Sequence, residues 1–70
     1  MTNQERALLE DAFRLADKIS DGHFTLLKFT TNYRAGFVTP SDRDDISALS
    51  EGKSLAEALS AAIGTAKKSN

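Results

Sequence analysis

The sequence predicts a small α+β domain, an antiparallel β-hairpin packed on helices in the order α-β-β-α-α. Two observations carry that expectation. Apolar residues recur at helical spacing in the first and last thirds of the chain, and each stripe opens on a capping motif. Between them, Phe24 to Ala35 runs without a glycine or proline and is rich in Phe, Thr, Leu and Tyr, the types that fit a pleated, half-buried surface.

The first helix is expected over about residues 2–20. TNQE, Thr2 to Glu5, is a capping box, and Leu8, Leu9, Ala12, Phe13, Leu15, Ala16 and Ile19 follow as one broad apolar stripe. Arg6–Glu10 is a favourable i,i+4 pair and Arg14–Lys18 a repulsive one, so surface charge adds little. SDG ends the helix, with Gly22 as a left-handed cap.

The hairpin is expected over about residues 23–39, because one uninterrupted strand of that length is improbable in so small a domain. Thr30-Thr31-Asn32 is the best three-residue turn, with Asn32 able to adopt the left-handed conformation. That loop pairs Phe29 with Tyr33 and Leu27 with Ala35. One face then holds Thr25, Leu27, Phe29, Tyr33, Ala35 and Phe37. The other holds Phe24, Leu26, Lys28, Arg34, Gly36 and Val38, with Lys28 opposite Arg34. A two-residue turn at Asn32-Tyr33 ranks second.

Two further helices are expected over about 41–50 and 54–66. Ser41 is the expected N-cap of the first, with Asp42, Asp44 and Asp45 at its positive end. Gly52 breaks it. SLAE, Ser54 to Glu57, is a second capping box that opens the second, and Leu55, Ala58, Leu59, Ala62, Ile63 and Ala66 form its stripe. Gly64 weakens its end, and 67–70 should fray. Phe13, Leu27, Phe29, Phe37 and Leu59 are the expected core.

Composition narrows the function classes. At 70 residues the chain makes a single domain over 1–70, which buries about 60% of its unfolded surface and is marginal without help. It has no cysteine and one histidine, so disulfides, thiolate metal sites and histidine-rich zinc sites are excluded, and no cofactor is expected. Oligomerisation is the remedy left open. A formal charge of −1 supplies no field toward nucleic acid or an anionic membrane. Apolar runs of two or three residues span no bilayer. The polar, acidic start MTNQERALLED does not read as a signal peptide, so a cytoplasmic location is expected.

Each chemical constellation has a simpler explanation. Asp42, Asp44 and Asp45 lack the spacing of a calcium loop and suit a helix N-terminus. His23 has Asp21 and Asp42 as candidate orienting acids, but no motif places a nucleophile beside it. Residues 46–63 read as helix, glycine turn, helix, yet the second helix offers Ser54, Glu57 and Ser60 rather than base-reading side chains.

The hairpin leaves a remainder. It holds four of the five aromatic residues, and its second face carries Phe24, Leu26 and Val38 where polar residues belong. The expected function is therefore a non-enzymatic protein-binding or regulatory module. Lys28, Tyr33, Arg34 and Phe37 are the candidate partner contacts, since Tyr and Arg are frequent interface anchors. Phe24, Leu26 and Val38 are the candidate homodimer interface. The alternative is a nucleic-acid binder using the hairpin as a basic ribbon.

Overall fold

The computed structural model describes residues 1–68. Its elements are α1 (Asn3–Ile19), β1 (Thr25–Lys28), β2 (Tyr33–Gly36), α2 (Arg43–Ala48), β3 (Ser50–Gly52) and α3 (Leu55–Lys68). The α+β class and the hairpin on helices are as expected. The short strand β3 is an addition, making an antiparallel sheet of order β1-β2-β3.

α1 starts on the expected capping box. Glu5 N–H donates to Thr2 Oγ1 at 3.0 Å, and Thr2 N–H donates back to Glu5 Oε1 at 2.8 Å. The two amides this satisfies have no partner within the helix. At the other end Gly22 is left-handed, with φ 86°, and Asp21 joins it at φ 55°. The Gly22 amide donates to the Ala16 carbonyl at 2.9 Å, closing the turn. The ion pairs on this helix join Arg14 to Glu10 and Asp11 at 3.9 and 3.2 Å.

The hairpin register differs from expectation by one residue. Leu26 pairs with Ala35 and Lys28 with Tyr33, around a tip at Thr30-Thr31 where Phe29 N–H donates to the Asn32 carbonyl at 2.8 Å. A one-residue slip sends every β1 side chain to the opposite face. Phe24, Leu26 and Lys28 therefore share the helix-covered face with Tyr33, Ala35 and Phe37, while Thr25 and Leu27 lie on the far face with Arg34. Aromatic packing accounts for the preference. This register lets Phe24 reach both Phe37 and Phe13, with ring centroids 5.2 and 6.0 Å apart.

α2 is shorter than the expected 41–50, and its N-cap is Asp42 rather than Ser41. Asp45 N–H donates to Asp42 Oδ1 at 2.9 Å. Ser41 instead donates its amide and hydroxyl to Asp45 Oδ2 at 3.0 and 2.6 Å. Leu49 leaves the helix and carries the chain into β3, whose Glu51 pairs with Arg34. A strand thus stands where a helix-turn-helix would need its turn. Gly52 makes that strand possible. A Cβ there would lie 2.3 Å from the Ala58 amide nitrogen and 2.7 Å from the Glu57 carbonyl carbon, so only glycine lets β3 lie this close to α3.

α3 passes through Gly64 to Lys68, beyond the expected end at 66. Lys67 and Lys68 of the expected frayed tail are helical; Ser69 and Asn70 lie outside the described residues. Ser54 caps α3, its Oγ accepting from Glu57 N–H at 3.2 Å, but the Glu57 carboxylate accepts from Lys53 N–H at 3.0 Å rather than from Ser54. No helix among the described residues is long and apolar enough to cross a membrane.

The core is built mainly of alanine. Among the described residues, six of the nine buried apolar ones are Ala12, Ala16, Ala35, Ala58, Ala62 and Ala66; the others are Leu49, Leu59 and Ile63. Small facing side chains let α1, α3 and the sheet approach closely, which leaves little room for large rings. Phe13 and Phe29 are accordingly outside the core, 52% and 41% exposed, and Leu27 faces away from it. Of the expected core, Leu59 is fully buried and Phe37 packs on the alanine cluster.

Candidate functional site

The helix-covered face of the hairpin gathers a row of aromatic and apolar groups along β1. The Phe13 ring meets the Phe24 ring edge-on, with 75° between planes, and Phe24 tilts against Phe37. Leu26 lies next along the strand and is 39% exposed. Lys28 follows, its Nζ 5.6 Å from the centroid of the Tyr33 ring. At that distance the ammonium is attracted to the ring face. β1 is an edge strand, so nothing in the sheet pairs with its outer side.

The opposite face is spent on internal bonds. Arg34 Nη1 donates to the carbonyls of Ser47 and Leu49 at 3.2 and 3.1 Å, and Nη2 lies 3.5 Å from Glu51 Oε2. The Asn32 amide donates to the same carboxylate oxygen. Arg34 thereby ties the C-terminal end of α2 and the start of β3 to β2.

Of the four expected partner contacts, the fold brings Lys28 and Tyr33 together, puts Arg34 on the other face, and turns Phe37 toward the core. The expected repulsion between Lys28 and Arg34 does not occur, because Lys28 stands opposite Tyr33 and Arg34 opposite Leu27. The three expected dimer residues do not share a far face. Phe24 is half-buried among rings on the near face, Leu26 lies beside it, and Val38, 58% exposed, follows the end of β2.

His23 is exposed and bonds to hydroxyls. Its Nε2 lies 3.0 Å from Thr25 Oγ1 and 2.8 Å from Thr39 Oγ1. Thr25 in turn donates to the Val38 carbonyl at 2.8 Å. This network ties together the two ends of the hairpin, and neither Asp21 nor Asp42 takes part in these bonds. Asp42 caps α2. Among the described residues no group of three or more His, Cys, Asp or Glu side chains could hold a metal.

Open cavities lie at two places among the described residues. One, of about 380 Å³, has apolar walls from Ile19, Phe37, Val38, Leu49, Ala62 and Ala66. The other, of about 390 Å³, lies between the hairpin tip and the start of α3, where Asn32, Glu51, Lys53 and Glu57 line it.

Sequence reading missed two residues that shape this surface. Phe13 sits at the border of its stripe, where periodicity cannot tell a core ring from an exposed one. Glu51 lies in a strand whose residues, Ser-Glu-Gly, carry no strand signal. No family model, no curated protein and no solved structure matches the chain.

Proposed function

We propose that this chain is a small, non-enzymatic, cytoplasmic protein-binding or regulatory module that acts through its hairpin surface and self-associates as a homodimer. One observation supports this most. The core is filled with alanine, while Phe13 and Leu26, beside the open edge of β1, stay 52% and 39% exposed. A domain that lived alone would gain by reversing that allocation, since a large apolar side chain is worth about 1.5–3 kcal/mol when buried. Exposed apolar side chains gathered beside an open strand edge mark a surface that meets another protein. In this reading Leu26 and the rings of Phe13 and Phe24 supply the apolar contact, Lys28 and Tyr33 its polar border, and Phe37 the support behind them.

Nucleic-acid binding is the weaker reading. A basic ribbon needs free cations, and Arg34 is bound on the far face, leaving Lys28 as the hairpin's cation on the near one. Light scattering at about 100 μM, well above a micromolar dissociation constant, tests the homodimer. A mass near 7.6 kDa rejects it. A polyanion column tests the alternative. Flow-through at physiological salt is the expected result, and retention that falls steeply with salt would favour nucleic acid.

A further inference from the structure

We infer that a second copy of this chain pairs along the open edge of β1, antiparallel, about a twofold axis at Leu26. This rests on the self-association proposed above and names its geometry. In an antiparallel ladder, alternate residues turn their N–H and C=O toward a given neighbour. The Phe29 N–H bond to Asn32 sets the phase, so Leu27 and Thr25 also direct their main-chain groups at β2. Phe24, Leu26 and Lys28 direct theirs outward. The side chains of these three lie on the helix-covered face, beside the exposed Phe13 ring. The same residues therefore offer both the unsatisfied backbone and the exposed apolar surface.

Charge and bonding select the register. A twofold axis normal to the sheet keeps the helices of both copies on one side, so residues of like face must pair. Centred on Leu26, the two Leu26 side chains meet, and each Lys28 lies opposite Phe24 of the other copy, a cation against an aromatic ring. All three outward residues of each copy then exchange bonds. Centred on Leu27, Phe24 falls opposite the hairpin tip and loses its partner. Centred on Lys28, two ammonium groups face each other, which is unfavourable. The chain exposes 4777 Å², against about 4300 Å² for a folded monomer of its mass. The surplus of about 500 Å² lies below the roughly 600–1,000 Å² that each partner contributes to a standard interface, which suits a weak dimer.

The chain has no cysteine, so single thiols report the register directly. Leu26→Cys, Leu27→Cys and Lys28→Cys are each oxidised gently at about 100 μM, well above a micromolar dissociation constant. The inferred pairing brings the two thiols of Leu26→Cys together, with Cα atoms about 5.5 Å apart, inside the disulfide range. It holds the thiols of Lys28→Cys about four strand residues, or roughly 13 Å, apart. Leu26→Cys should cross-link at least about tenfold faster than either of the others, given that no bridge forms beyond about 7 Å. Leu26→Pro should leave the monomer folded, because its amide points out of the sheet, and should return the light-scattering mass to 7.6 kDa. A wild-type monomer at this concentration overturns the self-association reading and this geometry with it. A wild-type dimer in which Leu26→Cys links no faster than Leu27→Cys or Lys28→Cys overturns the geometry alone. If Leu26→Pro does not fold, the cross-linking series decides.

Discussion

Arg34 and Glu51 stand directly opposite each other on β2 and β3, and the guanidinium that approaches the Glu51 carboxylate also donates to the carbonyls of Ser47 and Leu49. One side chain thus holds three consecutive pieces of the chain. The ion pair itself is half-exposed and contributes little. The bonds to the carbonyls matter more, because Leu49 enters the core immediately before β3.

Arg34→Met keeps the aliphatic stem and removes the donors. It should cost about 1–2 kcal/mol, at the level of charged hydrogen bonds partly replaced by water. Hydrogen exchange should quicken in residues 46–52 more than in α1. An unchanged urea midpoint would show that β3 holds without the clamp.

The glycines separate cleanly. Gly52→Ala drives a Cβ into the backbone of α3, which cannot give way, and should cost about 3 kcal/mol or more. Gly64→Ala adds a Cβ with nothing within 4 Å in the middle of a helix, and should stabilise by about 0.5–1 kcal/mol. Thermal melts of the two variants should move in opposite directions from wild type. A Gly52→Ala melt close to wild type would mean that β3 does not lie against α3.

Leu59 and Phe29 test where the core is. Leu59→Ala should cost about 2–5 kcal/mol, a large part of the stability of so small a domain. Phe29→Ala should cost no more than about 2 kcal/mol, since its ring sits at the hairpin tip and stays 41% exposed. A larger loss at Phe29 than at Leu59 would restore the expected register, in which Phe29 faces the helices.

Acid should weaken the start of α2. The Asp45 carboxyl is held below its ordinary value of 3.8, first by the hydrogen bond from the Ser41 hydroxyl and then by the Ser41 amide. A depressed carboxyl binds its proton less readily in the folded state than in the unfolded one. Its contribution to stability is therefore present above 3.8 and is lost as pH falls through the lower folded value. Carboxyl NMR should show Asp45 titrating below 3.8, and Ser41→Ala should raise that midpoint. Equal midpoints in the two proteins would remove Ser41 as the cause.

The sequence by itself determined the features that local chemistry controls. The Thr2 capping box, the Ser54 half of the second one, the left-handed Gly22, the presence of the hairpin and the three helical segments were legible because they depend on residues within about four positions of one another. Tertiary structure decided the rest. The hairpin register turned on whether Phe24 or Phe29 would face the helices, and the contact between Phe24 and the rings of Phe13 and Phe37 settled it. Ser50 to Gly52 became a strand because β2 had an unpaired edge and Gly52 could lie against Ala58, neither of which is written in those three residues. Arg34 became a clamp rather than a partner contact for the same reason, since its acceptors, the carbonyls of Ser47 and Leu49, come within reach only once β3 has paired.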